Sequence, residues 1–237
     1  MDTTLSLTDQ IVERAADVRQ RIAAAADRAG RDPDDVTLVA VSKTFPLDVV
    51  RAAVDAGLRD FGENRVGEFV EKAEALPGAA DGGDVRWHFV GSLQRNKARD
   101  VAAHADLFHA LDSVRLANTL DRRAEQAGRV LPVLVQVNIS DEDAKHGVPP
   151  AKTEALLREV AARDGLEVRG LMGMAAFVDD DEGLEAVVRP AFRRLRRLFE
   201  DVGDLSVLSM GMSGDFEVAV EEGATHVRVG TALFGPR

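Results

Sequence analysis

The 237-residue sequence contains no cysteine and no tyrosine. Without cysteine the chain cannot form disulfides, use a thiolate nucleophile, or hold zinc or iron–sulfur clusters through sulfur. Without tyrosine, no phenol is available as a general acid or base. No apolar stretch approaches the roughly 18 residues that a membrane-spanning helix needs, and the start lacks the pattern of a secretion signal. We therefore expect a cytoplasmic protein that does not associate with membranes.

Lysine is scarce, with 5 lysines against 25 arginines, and the 41 acidic residues give a formal net charge of −11. Such an acidic surface disfavours nucleic acids and anionic membranes as partners. It is typical of a salt-rich cytoplasm, and equally of a GC-rich genome. The histidines have no metal-ligand spacing, so we expect no metal site.

Eight short β-rich runs alternate with helical segments along the chain. The runs cover residues 36–43, 60–64, 85–91, 107–112, 131–139, 166–174, 205–213 and 226–235. Several are nearly continuous apolar runs, as expected of parallel strands covered on both faces. The helical segments between them are residues 47–56, 114–127, 153–162, 184–202 and 216–222, and an amphipathic helix beginning near Leu7 precedes the first strand.

Eight strand–helix units in a chain of this length predict an α/β fold, a (β/α)8 TIM barrel with an extra N-terminal helix. A doubly wound open sheet is the alternative, but the chain lacks a Gly-rich dinucleotide turn. No linker-like stretch divides the chain, so we expect a single domain over residues 1–237. In a barrel, functional residues lie where the strands end, on the carboxyl-terminal face.

Lys43 ends the first apolar run, VTLVAVSK. A lysine in this position either extends to water or is partly buried. Partial burial disfavours the charged ammonium form and leaves an amine available for a Schiff base.

The end of the chain has the composition of a phosphate cradle. The segments SMGMSGD (209–215) and RVGTALFG (228–235) follow the last two strands with small residues. Backbone N–H groups of Gly-rich turns bind phosphate, and barrels often hold it after strands seven and eight. Ser209, Ser213 and Thr231 can add hydroxyl donors. The alternative is two turns that need glycine only for tight geometry.

Arg228 interrupts a β-rich run and needs an anion or another acceptor. A phosphate oxygen or a heterocyclic nitrogen would fit, and a structural pair with an acid such as Glu63 is the alternative. An amine, a phosphate cradle and an arginine together suggest a phosphorylated aldehyde held as an imine. Pyridoxal 5'-phosphate and a sugar-phosphate aldolase intermediate both meet that description.

Several motifs resemble one known family in order and spacing. They are VAVSKTFP around Lys43, FGEN (61–64), WHFVGSLQRNK (87–97), VNISDEDAKHG (137–147), GLM (170–172) and LSMGMSGDFEVAVEEGATHVRVGTALFG (208–235). The chain resembles the pyridoxal phosphate homeostasis protein family, whose fold is that of the alanine racemase N-terminal barrel. The resemblance covers nearly the whole chain.

The resemblance implies that the cofactor is pyridoxal 5'-phosphate, bound to Lys43 as an internal aldimine. It places Asn64 beside the ring and Arg228 at the phosphate or the ring nitrogen. The residues that it places at the phosphate are Ser209, Ser213, Gly230 and Thr231.

We expect a cofactor carrier with little or no catalysis. A related racemase uses a lysine on one face of the substrate and a tyrosine from a second domain on the other, and this chain has no tyrosine. The expected role is pyridoxal phosphate and vitamin B6 homeostasis, with transient transfer to apo-enzymes, by a monomer. Two alternatives stay open: an amino-acid racemase with another base, and a Schiff-base aldolase acting on a sugar phosphate.

Overall fold

The computed structural model describes residues 5–78, 84–140 and 146–236. Within these ranges eight parallel strands form a closed barrel in chain order, and β8 pairs back onto β1. The strands are β1 (Thr37–Val41), β2 (Asp60–Glu63), β3 (Arg86–Phe89), β4 (Leu107–Leu111), β5 (Leu131–Val137), β6 (Leu166–Gly173), β7 (Val207–Met212) and β8 (His226–Val229). The predicted (β/α)8 barrel is therefore confirmed. Residues 141–145 of the motif 137–147 lie outside the described residues.

Helices surround the barrel. They are α1 (Leu7–Arg28), α2 (Leu47–Asp55), α3 (Val66–Ala75), α4 (Ala98–His104), α5 (Val114–Gln126), α6 (Pro150–Ala161), α7 (Asp181–Gly183), α8 (Arg189–Val202), α9 (Phe216–Glu221) and α10 (Thr231–Phe234). A π-helical turn, Leu184–Val188, joins α7 to α8. In the part of the chain that the structure describes, no helix is both long enough and apolar enough to cross a membrane.

The predicted N-terminal helix is α1, which packs against α2, α9 and α10. It begins with a capping box, in which the Ser6 hydroxyl accepts the N–H of Asp9 and the Asp9 carboxylate accepts from Ser6. Its buried stripe recurs at helical spacing and consists of Ile11, Ala15, Val18, Ile22, Ala25 and Ala26.

Side chains alternate between the two faces of each strand. Phe61 and Trp87 meet on the outer face, with ring centroids 5.7 Å apart, and Trp87 also packs on Phe69 of α3. Their strand neighbours Asp60 and His88 form a hydrogen bond with each other. The interior of this barrel therefore holds polar groups where branched apolar side chains are usual.

Two features differ from the sequence-based expectation. The last predicted strand, 226–235, ends at Val229, because Gly230 turns the chain into the short helix α10. In addition, α3 and α4 were absent from the predicted helices, and α3 proves to be important for the site.

Candidate functional site

A cavity of about 710 Å³ opens at the carboxyl ends of the strands. All the predicted site residues except Ser209 line it, namely Lys43, Asn64, Ser213, Arg228, Gly230 and Thr231. Apolar side chains, including Met174, Phe177 and Val178, form another part of its wall. The barrel thus brings together an amine, an amide, a hydroxyl and a guanidinium from separate strands.

Lys43 lies two residues beyond β1, in a turn with a strained backbone. The next residue, Thr44, has φ 68°, a left-handed conformation that β-branched residues rarely adopt. The N–H of Thr44 donates to Oε2 of Glu68 at 2.6 Å. A carboxylate on α3 therefore stabilises the turn that carries the site amine.

A buried ion pair supports the other side of Lys43. Nζ of Lys72, on α3, donates to Oε1 of Glu63 at 2.5 Å and to the carbonyl of Ser42 at 2.9 Å. The Ser42 hydroxyl donates to the same carboxylate oxygen at 2.8 Å. Burial raises the pKa of Glu63, while Lys72 acts in the opposite direction. Because Ser42 immediately precedes Lys43, this network fixes the backbone beneath the amine.

Asn64 packs unusually closely on the loop after β3. A Cβ added to Gly91 would lie 2.4 Å from the carbonyl oxygen of Asn64, so only glycine fits there without a shift. The side-chain oxygen Oδ1 of Asn64 is buried and has no hydrogen-bond partner among the residues that the structure describes. A buried acceptor of this kind is costly unless a ligand or water satisfies it.

Ser213, after β7, is the meeting point of backbone donors from the end of β8. Its hydroxyl oxygen accepts the N–H of Gly230 at 3.2 Å and the N–H of Ala232 at 3.5 Å. Backbone N–H groups that converge in this way form a concave anion-binding surface. The phosphate cradle expected from the small residues stays a prediction, and these are the groups that would form it.

Arg228 is buried, at 5% relative exposure, and points from β8 toward the cavity. It donates to Oγ of Ser209 at 2.6 Å and to the carbonyl of Gly173 at 3.1 Å. Burial lowers the pKa of Arg228 to about 10, so the guanidinium stays charged at neutral pH. The alternative pairing of Arg228 with Glu63 is wrong, because Glu63 lies on the outer face of β2 with Lys72.

Ser209 is fully buried behind Arg228 and does not line the cavity. Its oxygen accepts from Arg228, and it also bonds to Nδ1 of His109 at 3.0 Å. The Ser209 hydroxyl therefore has two hydrogen-bond partners inside the barrel, Arg228 and His109. Its predicted place at the phosphate is corrected to a support beneath Arg228.

No sequence pattern predicted a role for Glu68 or Lys72. A helical spacing of four residues links Glu68 to Lys72, but the sequence gives no sign that both face the turn at Lys43. The described residues contain no group of three or more histidine, aspartate or glutamate side chains arranged to hold a metal ion.

The sequence matches known proteins over almost its whole length. The family model of the alanine racemase N-terminal domain matches residues 14–237. A pyridoxal phosphate homeostasis protein from Aquifex aeolicus is 42% identical over 230 residues, which is 95% of this chain and 97% of the relative. The protein of that name from Escherichia coli K12 is 41% identical and covers 97% of both chains.

The chain belongs to the pyridoxal phosphate homeostasis protein family. One solved structure with this likeness is PipY of Synechococcus elongatus with PLP bound, at 37% identity and a TM-score of 0.79. That match covers 95% of this chain and 100% of PipY. The family resemblance inferred from the motifs is thus confirmed.

The site residues fit the cofactor of that PipY structure. Lys43 supplies an amine that can react with an aldehyde. The donors at Ser213 suit a phosphate, and the unpartnered Oδ1 of Asn64 offers an acceptor to a polar group on a ring. Arg228 adds a positive charge on the same wall. When bound, pyridoxal phosphate supplies a reactive aldehyde and an electron-withdrawing ring.

Proposed function

We propose that this chain holds pyridoxal 5'-phosphate as a Schiff base with Lys43 and serves vitamin B6 homeostasis, with little or no catalysis. The observation that carries the proposal is one cavity that contains both the Lys43 amine and the donors converging at Ser213. The names of the relatives and the PLP-bound PipY structure support it.

The positive charge at the base of the cavity suits a cofactor carrier. Amino-acid chemistry on pyridoxal phosphate gains from a protonated ring nitrogen and from a base beside the α-carbon. Arg228 is charged at neutral pH, and a guanidinium near the ring nitrogen would disfavour that protonation. The sequence also has no tyrosine to act as a base. Both properties favour storage of the cofactor over turnover of a substrate.

The absorbance spectrum of the purified protein, loaded with pyridoxal phosphate, tests the binding mode. We expect a visible absorbance band that borohydride reduction removes. The reduced cofactor should then be covalently attached to Lys43. Lys43→Ala should lose the band, whereas Lys152→Ala, at an exposed position on α6, should keep it. A band that survives in Lys43→Ala would remove the lysine assignment, and a wild type with no band would favour the sugar-phosphate aldolase.

His146 gives the racemase alternative a specific candidate, because it also lines the cavity. Incubating the loaded protein with single enantiomers of several amino acids separates the two functions. We expect no sustained racemisation. Turnover that disappears in His146→Asn would replace the carrier proposal with a racemase that uses His146 as its base.

The remaining parts of the proposal are a single barrel domain over residues 1–237, a monomeric state, a cytoplasmic location and transient transfer to apo-enzymes. Light scattering of the purified protein tests the monomeric state. Transfer is tested by mixing the loaded protein with an apo-enzyme that depends on pyridoxal phosphate. Activation faster than the spontaneous release of the cofactor supports direct transfer, and activation at the release rate excludes it.

A further inference from the structure

A chain of hydrogen bonds runs through the barrel interior from Asp60 to Arg228. At the amino-terminal end of β2, Asp60 Oδ1 lies 3.1 Å from Nε2 of His88. Nδ1 of His88 lies 2.9 Å from Nε2 of His109. Nδ1 of His109 is 3.0 Å from Oγ of Ser209, which accepts from Arg228 at 2.6 Å. The chain joins strands β2, β3, β4, β7 and β8.

One order of donors and acceptors satisfies every bond in this chain. The Asp60 carboxylate only accepts, so Nε2 of His88 must carry a proton. In this order His88 carries its proton on Nε2 and accepts at Nδ1, His109 donates from Nε2, and His109 accepts at its own Nδ1. The Ser209 O–H fills that acceptor position.

The opposite end of the chain is compatible with the same order. A guanidinium only donates, so the Ser209 oxygen accepts from Arg228, which leaves the Ser209 O–H available to donate to Nδ1 of His109. In this order all the donors point from the cation at Arg228 toward the anion at Asp60. Aligned bonds in a buried chain polarise and strengthen one another.

The ionisation of the chain members agrees with this arrangement. Burial would raise the pKa of Asp60, but hydrogen bonds from His88 and Arg86 lower it to about 2. Burial lowers the pKa of His109 well below its ordinary value, so that this ring is neutral. His226 lies beside both rings, with centroids 6.0 and 6.5 Å away, but it bonds to Thr225 and is not part of the chain.

We infer that Asp60, His88, His109 and Ser209 are positioning residues that hold the Arg228 guanidinium in place at the base of the cavity. The affinity for the cofactor would then depend on groups at the far end of the barrel that do not touch it. The consequence for the cofactor rests on the proposed function, but the bond directions do not.

Histidine tautomers test the directions without any cofactor. In protein labelled with ¹⁵N-histidine, long-range nitrogen–proton spectra at neutral pH should show His88 and His109 as neutral Nε2–H tautomers. Their signals are identified by their loss in His88→Gln and His109→Gln. A charged His88, or His109 protonated at Nδ1, would reverse the order of donors and overturn the inference.

Titration with pyridoxal phosphate tests the consequence. Ser209→Ala removes the acceptor of a charged donor and should weaken affinity by about tenfold or more. His109→Leu should weaken the affinity to a similar extent. His109→Gln, whose amide can donate and accept, should retain much of the wild-type affinity. His226→Gln is the matched control in the same layer and should bind like the wild type.

The outcomes separate the two proposals. Wild-type affinity in both Ser209→Ala and His109→Leu would overturn the positioning role. If the wild type itself bound no pyridoxal phosphate, the proposed function would fail, while the tautomer spectra would still decide the bond directions. If His109→Leu did not fold, Ser209→Ala and the tautomers would carry the test.

Discussion

The carboxylate of Glu68 accepts the backbone N–H of Thr44 at 2.6 Å, directly beside the site lysine. Four residues further along α3, Lys72 binds the carbonyl of Ser42 on the other side of Lys43 at 2.9 Å. One helix on the outside of the barrel therefore holds the main chain on both sides of the amine. The position of Lys43 therefore depends on α3 as well as on its own strand.

Removing the Glu68 carboxylate should loosen the turn at Thr44. A hydrogen bond to a charged group contributes about 1.5–3 kcal/mol, so we expect Glu68→Ala to weaken cofactor binding by about tenfold or more. Glu68→Gln keeps an acceptor and should lose less. Absorbance titration with pyridoxal phosphate measures the effect.

Two controls identify the cause of that loss. Arg65→Ala removes the exposed partner of Glu68, 3.3 Å away, and should change little. Thr44→Gly relieves the unfavourable φ, so the double variant with Glu68→Ala should recover part of the affinity. If Glu68→Ala weakened cofactor binding equally with and without Thr44→Gly, the turn at Thr44 would not be the cause of the weaker binding.

Lys72→Met should leave the Glu63 carboxylate buried and unpaired. Breaking such a pair costs about 3–5 kcal/mol, and chemical denaturation should show a loss of that size in the free energy of unfolding. Lys72→Met combined with Glu63→Gln removes the charge and should be clearly more stable than Lys72→Met alone. If the single and the double variant were equally stable, the unpaired Glu63 charge would not be the cause of the destabilisation in Lys72→Met.

The stability of the Lys72→Met variant should also depend on pH in a defined direction. Burial already raises the pKa of Glu63, and without Lys72 the main opposing influence is gone. A carboxyl whose folded pKa lies above its unfolded value loses stability as the pH rises through that range. Lys72→Met should therefore be less destabilised near pH 5 than near pH 8, whereas an effect independent of pH would contradict this reading.

Asp60 should show the opposite pH dependence. Its pKa is about 2, below the ordinary 3.8, so its stabilisation is complete above about pH 4 and is lost as the pH falls toward 2. From that shift, Asp60→Asn should cost about 2 kcal/mol of unfolding free energy at pH 7. The difference from wild type should shrink in denaturation curves recorded at pH 5, 4 and 3. Asp55→Asn, at an exposed position on α2, should show neither effect.

The barrel and most of its site were predictable because their signals are local. Apolar runs mark several of the buried strands, and the polar residue that follows a strand marks the carboxyl-terminal face, as for Lys43. Arg228 stood out in the same way, as a charged side chain between two buried valines. Only its partner was unclear, because the register that brings Ser209 and Gly173 to it is a property of the closed barrel.

The supporting residues were not predictable, for a different reason. Helix α3 buries Phe69, Lys72 and Ala73, and a lysine on the buried face breaks the apolar pattern by which a helix is recognised. Its partner Glu63 lies in another element. Likewise His109 and Ser209 are 100 residues apart, and only barrel closure brings them within 3.0 Å of each other.

Gly91→Ala should damage both stability and binding, because the new Cβ would lie 2.4 Å from the carbonyl oxygen of Asn64, a backbone atom that cannot easily give way. Overpacking of this kind costs about 1–3 kcal/mol, and the shift would displace the buried Asn64 amide from the cavity wall. Gly67→Ala is the matched control, since no atom lies within 4 Å of its added Cβ in α3, and it should gain up to about 1 kcal/mol. Denaturation and cofactor titration of both variants check the contrast, and wild-type affinity in Gly91→Ala would show that the close approach of Asn64 does not matter for the site.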